Sequence, residues 1–355
     1  MQRLVYPSLT GGPHPPAEFT IDRHSIGQGR PVFLIAEIGI NHNGSLSLAK
    51  RMVTEAARNG ASAVKFQFLD AADLFAQESN MGGIRDLFRK CEFSYSEWAQ
   101  LKSHADRIGV TFFASVFAEQ KIDFLEALGV PCFKISSGDI TYVQLLRKTA
   151  RTRKPVILST GMSNLQEVAE AIRIFEEEKN RRLVILHCVN SYPTRPRDTH
   201  LRKMSALESF GYPVGFSDHT LGIEISLAAV ARGAVAIEKH FTIDRTLPGP
   251  DQALSITPAD MRSLRRMADN IVKSIGDAEK KPAAAERSVR RSSRRSLVAL
   301  KLTRRGERLA AECIGIKRPG TGIQPKEFLN IVGRKARRDI PAGKVLSWAM
   351  LGSRS

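Results

Sequence analysis

Short apolar runs alternate with longer stretches of helical period from residue 33 to residue 242. The runs are rich in Val, Ile and Phe, so the alternation predicts repeated strand–helix units around a parallel sheet. Eight strand candidates begin at residues 33, 62, 110, 132, 155, 183, 213 and 235. Eight such units in about 250 residues match a closed (β/α)₈ (TIM) barrel better than an open doubly wound sheet, which usually has fewer strands.

Two of the intervening helices have recognisable ends. Ser163, with Gln166 three residues later, predicts the start of one helix. Thr257 before Pro258 predicts the start of the last barrel helix, and Gly276 predicts its end.

The chain changes character after the barrel domain, which we place at residues 1–276 with an N-terminal extension over residues 1–30. Residues 277–296 lack apolar periodicity and are rich in Ala, Ser and charge, which predicts a linker. Residues 297–355 form a predicted small domain. An internal repeat at a spacing of 37 residues suggests two similar half-units, namely Gly306, Leu309 and Ile314 against Gly343, Leu346 and Leu351.

The positive charge is concentrated near the C-terminus. The formal net charge is +18, but residues 281–355 alone hold 19 Lys and Arg against 5 Asp and Glu. A nearly neutral N-terminal part followed by a basic C-terminal part indicates two domains of different character. A chain that is basic throughout would instead indicate a nucleic-acid partner. Runs of Ser and Arg without interleaved aromatic residues are typical of solvated linkers, so we expect no nucleic-acid partner.

The composition predicts neither a membrane protein nor a secreted one. No run of about twenty apolar residues is present, and the first thirty residues lack the apolar stretch of a secretory signal. No CxxC pair is formed by the four cysteines, which are Cys91, Cys132, Cys188 and Cys313. We therefore expect a cytoplasmic protein with reduced thiols and no membrane partner.

Polar side chains spaced two residues apart lie at the ends of four predicted strands. Side chains so spaced point to the same face, and the chemistry of such barrels lies where the strands end. The pairs are Lys65 and Gln67, Asn190 and Tyr192, Ser217 and His219, and Glu238 and His240. Glu37 lies near the end of the first strand, so we expect these groups to share one pocket.

His219 and His240 are predicted on neighbouring strands, about 4.8 Å apart. One histidine in an apolar strand is more often a packed core residue, but two on adjacent strand ends could share a divalent ion. The carboxylates of Glu37 and Glu238 lie at compatible levels. Two imidazoles without thiolates leave coordination positions open for water and substrate, as a catalytic metal requires.

Lys65 and Lys134 are charged residues within apolar strands, which is costly unless each meets an anion or a carboxylate. A structural salt bridge is one explanation for each lysine. The other is a pocket for a small phosphorylated or carboxylated substrate, oriented by hydroxyl and amide groups at the strand ends. Those groups belong to Ser115, Ser137, Ser159, Asn190 and Ser217.

These residues lie in motifs that closely resemble the sialic acid synthase family. The motifs are AEIGINHNGS, VKFQ, KISSGD, STGM, HCVNSYPT, GFSDHT, IEKHFT and GPD, followed by KRPGTG, in family order from about residue 30 to the end. The resemblance implies a barrel followed by an antifreeze-like (SAF) domain, in a homodimer where each small domain covers the partner's active site. It also implies condensation of phosphoenolpyruvate with an N-acetylated hexose, typically N-acetylmannosamine, with phosphate released by C–O cleavage.

The resemblance implies a role for each candidate residue. His219 and His240 would hold Mn²⁺ or Mg²⁺, and Glu37 and Glu238 are the candidate catalytic carboxylates. The phosphoenolpyruvate pocket would consist of Lys65, Ser115, Lys134, Ser137, Ser159, Asn190 and Ser217. The sugar side would consist of Gln67, Asp139, Tyr192, Asp251 and, reaching from the partner subunit, Arg318.

Several residues depart from the usual family pattern. The third strand reads ASVF, with Val116, where Thr-Pro-Phe is common. Asp139 stands where a glutamate is typical, and Gln252 stands where a histidine is common. The sugar motif YPTRPRD adds Arg195 and Arg197. Because the departures cluster on the sugar side, the acceptor stays open between N-acetylmannosamine and a 6-deoxy diacetamido sugar of the legionaminic or pseudaminic type.

Two other functions stay open. A Schiff-base aldolase on the same barrel would use Lys65, Lys134 or Lys239 as its nucleophile. The basic linker and tail would otherwise be a nucleic-acid arm, although they contain no recognised module. Borohydride trapping would favour the aldolase, and loss of activity with a chelator would favour the synthase.

Overall fold

The protein folds around a closed barrel of eight parallel strands, seen in a computed structural model that describes residues 18–76 and 82–353. A short antiparallel hairpin comes first, made of β1 (Phe19–Ile21) and β2 (His24–Ile26). The barrel strands follow as β3 (Phe33–Gly39), β4 (Ala63–Gln67), β5 (Thr111–Ser115), β6 (Phe133–Ile135), β7 (Val156–Ser159), β8 (Leu183–Cys188), β9 (Val214–Asp218) and β10 (Ala236–His240). Strand β10 pairs with β3 and closes the barrel, which confirms the predicted fold.

Helices connect the strands on the outside of the barrel. They are α1 (Leu46–Arg58), α2 (Ala71–Leu74), α3 (Gly82–Lys90), α4 (Tyr95–Ile108), α5 (Gln120–Ala127), α6 (Val143–Arg151), α7 (Leu165–Glu177), α8 (Lys203–Glu208), α9 (Glu224–Ala231) and α10 (Pro258–Ile275). The strands are buried on both faces, as parallel strands covered by helices must be. Within the described ranges, no helix has the length and hydropathy needed to cross a bilayer.

The predicted ends of α10 agree with the structure, and the predicted start of α7 differs from it by one residue. Thr257 caps α10, and Gly276 follows its last residue, as predicted. Helix α7 is capped by Asn164, whose Oδ1 accepts hydrogen bonds from the backbone N–H groups of the next turn. The predicted start at Ser163 is therefore wrong by one residue, because the Ser163 hydroxyl donates to the carbonyl of Gly161 instead.

The described part of the predicted N-terminal extension is the hairpin of β1 and β2. Phe19, Ile21 and Ile26 are buried in the same core cluster as the barrel strands. Asp22, at the turn of the hairpin, accepts a hydrogen bond of 2.8 Å from Thr111, the first residue of β5. The hairpin thus lies at the amino ends of the strands, opposite the predicted pocket. Residues 1–17 of the extension lie outside the described residues.

A second compact unit begins at Asp277. The predicted linker at residues 277–296 contains a short exposed helix, α11 (Arg287–Ser293), and its last residue begins β11 (Ser296–Ala299). Arginine is a good helix former, which accounts for a helix without an apolar face. Strand β11 pairs antiparallel with β12 (Ile314–Lys317), and α12 (Phe328–Ile331) follows.

The internal repeat of the second unit is visible in its core. Gly306 and Gly343 both have positive φ, at 86° and 81°. The repeat-related pairs Leu309 with Leu346 and Ile314 with Leu351 are all buried. These residues belong to one small apolar cluster, so the two half-units share a core.

Candidate active site

Two lysines and two glutamates lie together at the carboxyl ends of the barrel strands. Lys65 Nζ lies 2.7 Å from Oε2 of Glu37 and 3.9 Å from Oε2 of Glu238. Lys134 Nζ lies 4.0 Å from Oε1 of Glu238. All four residues are buried. Their formal charges cancel, which makes the group tolerable inside the barrel.

Serine hydroxyls also accept hydrogen bonds from both lysines, and Lys134 Nζ donates in addition to the carbonyl of Ile135 at 2.9 Å. Lys65 Nζ donates to Ser115 Oγ at 3.1 Å, and Lys134 Nζ donates to Ser159 Oγ at 2.7 Å. Ser115 on β5 is the register partner of Lys134 on β6. Strand pairing therefore places the Lys65–Ser115 contact beside the Lys134–Ser159 contact. The structure thus brings together four of the seven residues predicted to bind phosphoenolpyruvate.

The other three predicted anion-binding residues lie on neighbouring strand ends. Ser217 donates to Oε1 of Glu238 at 3.1 Å. Ser137 Oγ accepts a hydrogen bond of 3.0 Å from the backbone N–H of Gly161, and Asn190 Oδ1 accepts one of 3.2 Å from the Cys188 thiol. These contacts keep hydroxyl and amide groups along one wall of the pocket.

Gly161 and Cys188 are part of this wall, although no site role was predicted for either. A Cβ atom on Gly161 would overlap Asn190 Oδ1 and lie 2.9 Å from Ser137 Oγ, so a larger residue there would push both side chains aside. Burial raises the pKa of the Cys188 thiol, which therefore stays protonated and donates. The glycine of STGM and the cysteine two residues before Asn190 were the available sequence signals.

The two glutamates respond differently to the same burial. Burial raises the pKa of Glu37 to about 7, although Lys65 opposes the shift, and the charge of Glu238 adds to it. Burial would also raise the pKa of Glu238, but Lys134 and Lys65 together lower it. A pair of carboxyl groups whose pKa values are pushed apart is suited to separate acid–base and electrostatic roles.

The pKa values of the two lysines are also shifted in opposite directions. Burial would lower the pKa of Lys65, but Glu238 and Glu37 together raise it, so this ammonium group stays charged. Burial lowers the pKa of Lys134 despite the opposing charge of Glu238. Glu238 lies between the two amines, with Oε2 at 3.9 Å from Lys65 Nζ and Oε1 at 4.0 Å from Lys134 Nζ.

His219 and His240 lie beside this cluster with their ring centroids 5.5 Å apart. The Nδ1 atom of His219 lies 2.9 Å from the carbonyl of Val189, and a carbonyl can only accept, so Nδ1 carries the proton and Nε2 has the free lone pair. Burial lowers the pKa of His219 to about 4 and also lowers the pKa of His240. Both rings are therefore neutral, which is the form that binds metals.

The donor set fits a divalent cation held by two imidazoles. His240 Nδ1 is buried without a hydrogen-bond partner, and it lies 3.7 Å from Oδ2 of Asp251. Oε2 of Glu238 is likewise buried and without a hydrogen bond. Among the described residues, no group of three or more His, Cys, Asp or Glu side chains surrounds one point. Such an ion would therefore need water or substrate as further ligands.

The predicted sugar-side residues of the barrel lie around the same opening. Gln67 Nε2 donates to Oε1 of Glu37 at 3.2 Å. The half-exposed ring of Tyr192 lies 4.2 Å from the ring of His219, centroid to centroid. Burial raises the pKa of Asp139 to about 6, with Lys134 opposing. Arg318 is exposed and belongs to the second unit, so its contact with a partner's site stays a prediction.

Gln252 has a clear structural role in place of the usual histidine. Its Nε2 donates to the carbonyl of Asn41 at 2.8 Å, and its Oε1 accepts from the hydroxyl of Thr242 at 2.5 Å. These contacts hold the segment that carries Asp251 against the loop after β3. A neutral amide therefore supports this wall, with no titratable ring at position 252. Val116 is buried in the core cluster.

Lys239 is not part of the pocket, which corrects one form of the aldolase alternative. Its amine contacts Oδ2 of Asp218 at 2.9 Å and donates to the carbonyl of Thr220 at 2.7 Å. Because Glu238 and His240 face the pocket, the residue between them faces the surrounding helices. Only Lys65 and Lys134 remain as candidate Schiff-base nucleophiles among the three lysines.

Two family models match this chain. The NeuB family model matches residues 52–280, and the SAF domain model matches residues 294–352. The chain belongs to the NeuB family. This confirms the family and the C-terminal antifreeze-like domain that the motifs predicted.

Relatives of this NeuB-family chain are named as synthases of several nonulosonic acids. It is 39% identical over 338 residues to N,N'-diacetyllegionaminic acid synthase of Legionella pneumophila, covering 91% of this chain and 95% of that one. It is 32% identical over 323 residues to N-acetylneuraminate-9-phosphate synthase of Homo sapiens, covering 87% and 90%. The crystal structure of N-acetylneuraminic acid (sialic acid) synthetase from Leptospira borgpetersenii matches with a TM-score of 0.74 and 38% identity, covering 78% of this chain and 96% of that one.

Proposed function

We propose that this NeuB-family protein is a phosphoenolpyruvate-dependent synthase that forms a carbon–carbon bond to an N-acetylated hexose. One observation carries the proposal: the lysine and serine groups lie at the same barrel opening as the two neutral imidazoles. Lys65 and Lys134 supply positive charge for the phosphate and carboxylate of phosphoenolpyruvate. Neutral donors such as Ser137 and Asn190 fix the orientation of that substrate.

A Mn²⁺ or Mg²⁺ ion held by His219 and His240 would supply Lewis-acid polarisation of the open-chain aldehyde of the sugar. The chain itself orients the ligands for this ion. The carbonyl of Val189 fixes the tautomer of His219, and Asp251 lies beside Nδ1 of His240. Such partners of metal-binding histidines tune both ring orientation and affinity.

The reaction begins when the enol carbon of phosphoenolpyruvate forms a bond to the aldehyde carbon, whose oxygen takes up a proton. Water then adds at the carbon that bears the phosphate. The bond from that carbon to the phosphate oxygen breaks, and phosphate leaves. Glu37 orients and deprotonates the water, because its pKa near neutrality suits a general base. Glu238 stays ionised and stabilises the positive charge of Lys65 and Lys134.

The acceptor is N-acetylmannosamine or a related diacetamido hexose. The relatives named above differ in their products, and residues on the sugar side depart from the usual pattern at Asp139 and Gln252. An acceptor screen decides between the candidates. The full-length protein is incubated with phosphoenolpyruvate, Mn²⁺ and each sugar, and both released phosphate and the mass of the product are measured.

Labelled phosphoenolpyruvate makes this screen sharper. With ¹⁸O at the bridging position, C–O cleavage places the label in the released phosphate. We expect label in phosphate and a nine-carbon acid as product. If no sugar releases phosphate, and borohydride instead traps pyruvate on Lys134, the protein is a Schiff-base aldolase and the proposal is wrong.

The proposal includes a homodimer in which Arg318 of one subunit acts at the barrel of the other. Mixing the inactive variants Arg318→Ala and Glu37→Gln tests this arrangement. A mixed dimer then has one site with both residues intact, so random exchange restores about one quarter of the wild-type activity. No recovery would place Arg318 at the barrel of its own subunit, and full activity of Arg318→Ala alone would place it outside the site.

A further inference from the structure

Asp218 and Lys239 form a fully buried ion pair on the outer face of the barrel. Their charged atoms are 2.9 Å apart, and the side chains are 0% and 1% exposed. The two residues are register partners across β9 and β10. Each is flanked along its strand by two pocket residues, since side chains alternate between the faces of a strand.

Asp218 closes the turn that carries His219. Its Oδ1 accepts hydrogen bonds of 2.8 Å from both the backbone N–H and the hydroxyl of Thr220. Its Oδ2 accepts from Ser226 on α9 in addition to Lys239. An aspartate that bonds to the backbone two residues later fixes the conformation of the residue between them.

Lys239 links this turn to the strand that carries His240. Its amine donates to the carbonyl of Thr220 at 2.7 Å as well as to Asp218. On the other side of the turn, the backbone N–H of Thr194 donates to the carbonyl of His219 at 2.9 Å. The backbone at His219 is thus held from both sides, and one of those attachments runs directly to β10.

We propose that the Asp218–Lys239 pair is a positioning unit that fixes the spacing of His219 and His240 for a divalent cation. This inference rests on the proposed metal-dependent function. Buried ion pairs add little stability compared with apolar side chains of similar volume, and their best-supported use is to specify one arrangement. Here the arrangement that they specify is the relative position of two strand ends, each bearing one of the paired imidazoles.

Metal affinity of the full-length variants tests the inference. Lys239→Met removes the amine, while Asp218→Asn keeps an oxygen that can accept from Thr220 but removes the negative charge. Lys121→Met is the matched control, because Lys121 is also a buried amine paired with a carboxylate, Asp70 at 3.2 Å, away from the histidines. Free Mn²⁺ is followed by electron paramagnetic resonance, and the visible spectrum of the Co²⁺ form reports ligand geometry.

We expect Lys239→Met to weaken Mn²⁺ binding by about 10- to 100-fold, the usual effect of losing a residue that orients metal ligands. Asp218→Asn should weaken binding less, and Lys121→Met should leave it unchanged. The Co²⁺ spectrum should change only in the first two variants. A purely structural role would lower the melting temperature without moving either metal signal.

Wild-type Mn²⁺ affinity in a folded Lys239→Met protein would overturn the inference. If that variant does not fold, Asp218→Asn decides, and unchanged affinity there overturns it equally. The proposed function fails separately, when the wild-type protein neither binds Mn²⁺ nor releases phosphate from phosphoenolpyruvate. Failure of the proposed function also removes the basis of the inference. The wild-type measurement distinguishes the two failures, because only failure of the proposed function affects the wild-type protein.

Discussion

Lys65 Nζ contacts Oε2 of Glu37 at 2.7 Å, yet the pKa of this carboxyl group is raised to about 7. A carboxyl group beside an ammonium group usually ionises well below its ordinary pKa. Here burial outweighs the lysine, and the neighbouring charge of Glu238 adds to the effect. Glu37 can therefore exchange its proton near neutral pH, which is the property that a general base needs.

Glu37→Gln should lower turnover strongly while leaving phosphoenolpyruvate binding largely intact. The amide has nearly the same shape and can still bond to Gln67, but it cannot accept a proton. General-base catalysis contributes about 10²- to 10⁴-fold, so kcat should fall by that amount. Phosphate release gives kcat, and isothermal titration gives the affinity for phosphoenolpyruvate. Normal turnover in this variant would refute the role assigned to Glu37.

The pH dependence follows from the direction of the same shift. Below about pH 7 Glu37 holds its proton and cannot act as a base. The kcat/KM for phosphate release should therefore rise with pH through about 7 and then level. The residual activity of Glu37→Gln should not show this rise of kcat/KM with pH. A rise with the same midpoint in both proteins would mean that a group other than Glu37 causes the pH dependence.

Removal of either histidine should remove tight metal binding. His219→Ala and His240→Ala should each lose more Mn²⁺ affinity than Lys239→Met, because each removes one of the two protein ligands of the proposed ion. His104→Gln on α4 is the control, because His104 bonds to α1 through the Lys50 carbonyl and the Thr54 hydroxyl, away from the pocket. A chelator should abolish wild-type phosphate release, and added Mn²⁺ should restore it. Full activity after exhaustive chelation would contradict the metal assignment.

Metal binding should also survive mild acid. Protons compete with a metal for imidazole, so affinity falls once the pH drops below the pKa of the ring. Burial lowers the pKa of His219 to about 4. In Glu37→Gln, which removes the titration of Glu37 near pH 7, Mn²⁺ affinity should therefore change little between pH 8 and pH 6, measured by titration in one buffer series. A steep loss centred on the ordinary value of 6.5 would show that this ring is solvated.

Gly161→Ala should weaken phosphoenolpyruvate binding. Its Cβ would displace Asn190 Oδ1 and Ser137 Oγ, which line the predicted anion pocket. Gly83→Ala on α3 is the control, since a Cβ there meets no atom within 4 Å and neither neighbouring residue is assigned to the pocket. We expect KM for phosphoenolpyruvate to rise in the first variant alone, with both proteins folded by circular dichroism. Equal KM values would exclude this wall from substrate binding.

The sequence predicted the barrel and the residues at its opening because both follow from regular spacing. A period of two placed Ser217 with His219 and Glu238 with His240, and pairing of neighbouring strands then brings these ends together. The cluster around Lys65 was predictable for a related reason, because charge inside an apolar strand needs a partner.

Features that depend on local hydrogen bonding were missed or misplaced. Either Ser163 or Asn164 could have capped α7, and only the backbone geometry decides between them. The role of Gly161 depends on how closely two loops approach, which is a distance between segments far apart in the chain. The outward direction of Lys239 follows from the same alternation that points Glu238 and His240 into the pocket. Only its partner, Asp218 on another strand, required the structure.

Strand β10 separates two kinds of chemistry by a single position. One face carries a carboxylate and an imidazole, and the other carries a primary amine at Lys239. Loss of one codon within this strand would turn the amine toward the substrate and the imidazole toward the helices. The opening would then present a primary amine, which can form imines, in place of the imidazole that the proposed metal-dependent reaction uses. Exchange of one side chain for another preserves this arrangement of β10, whereas insertion or deletion of a single residue within the strand reverses it.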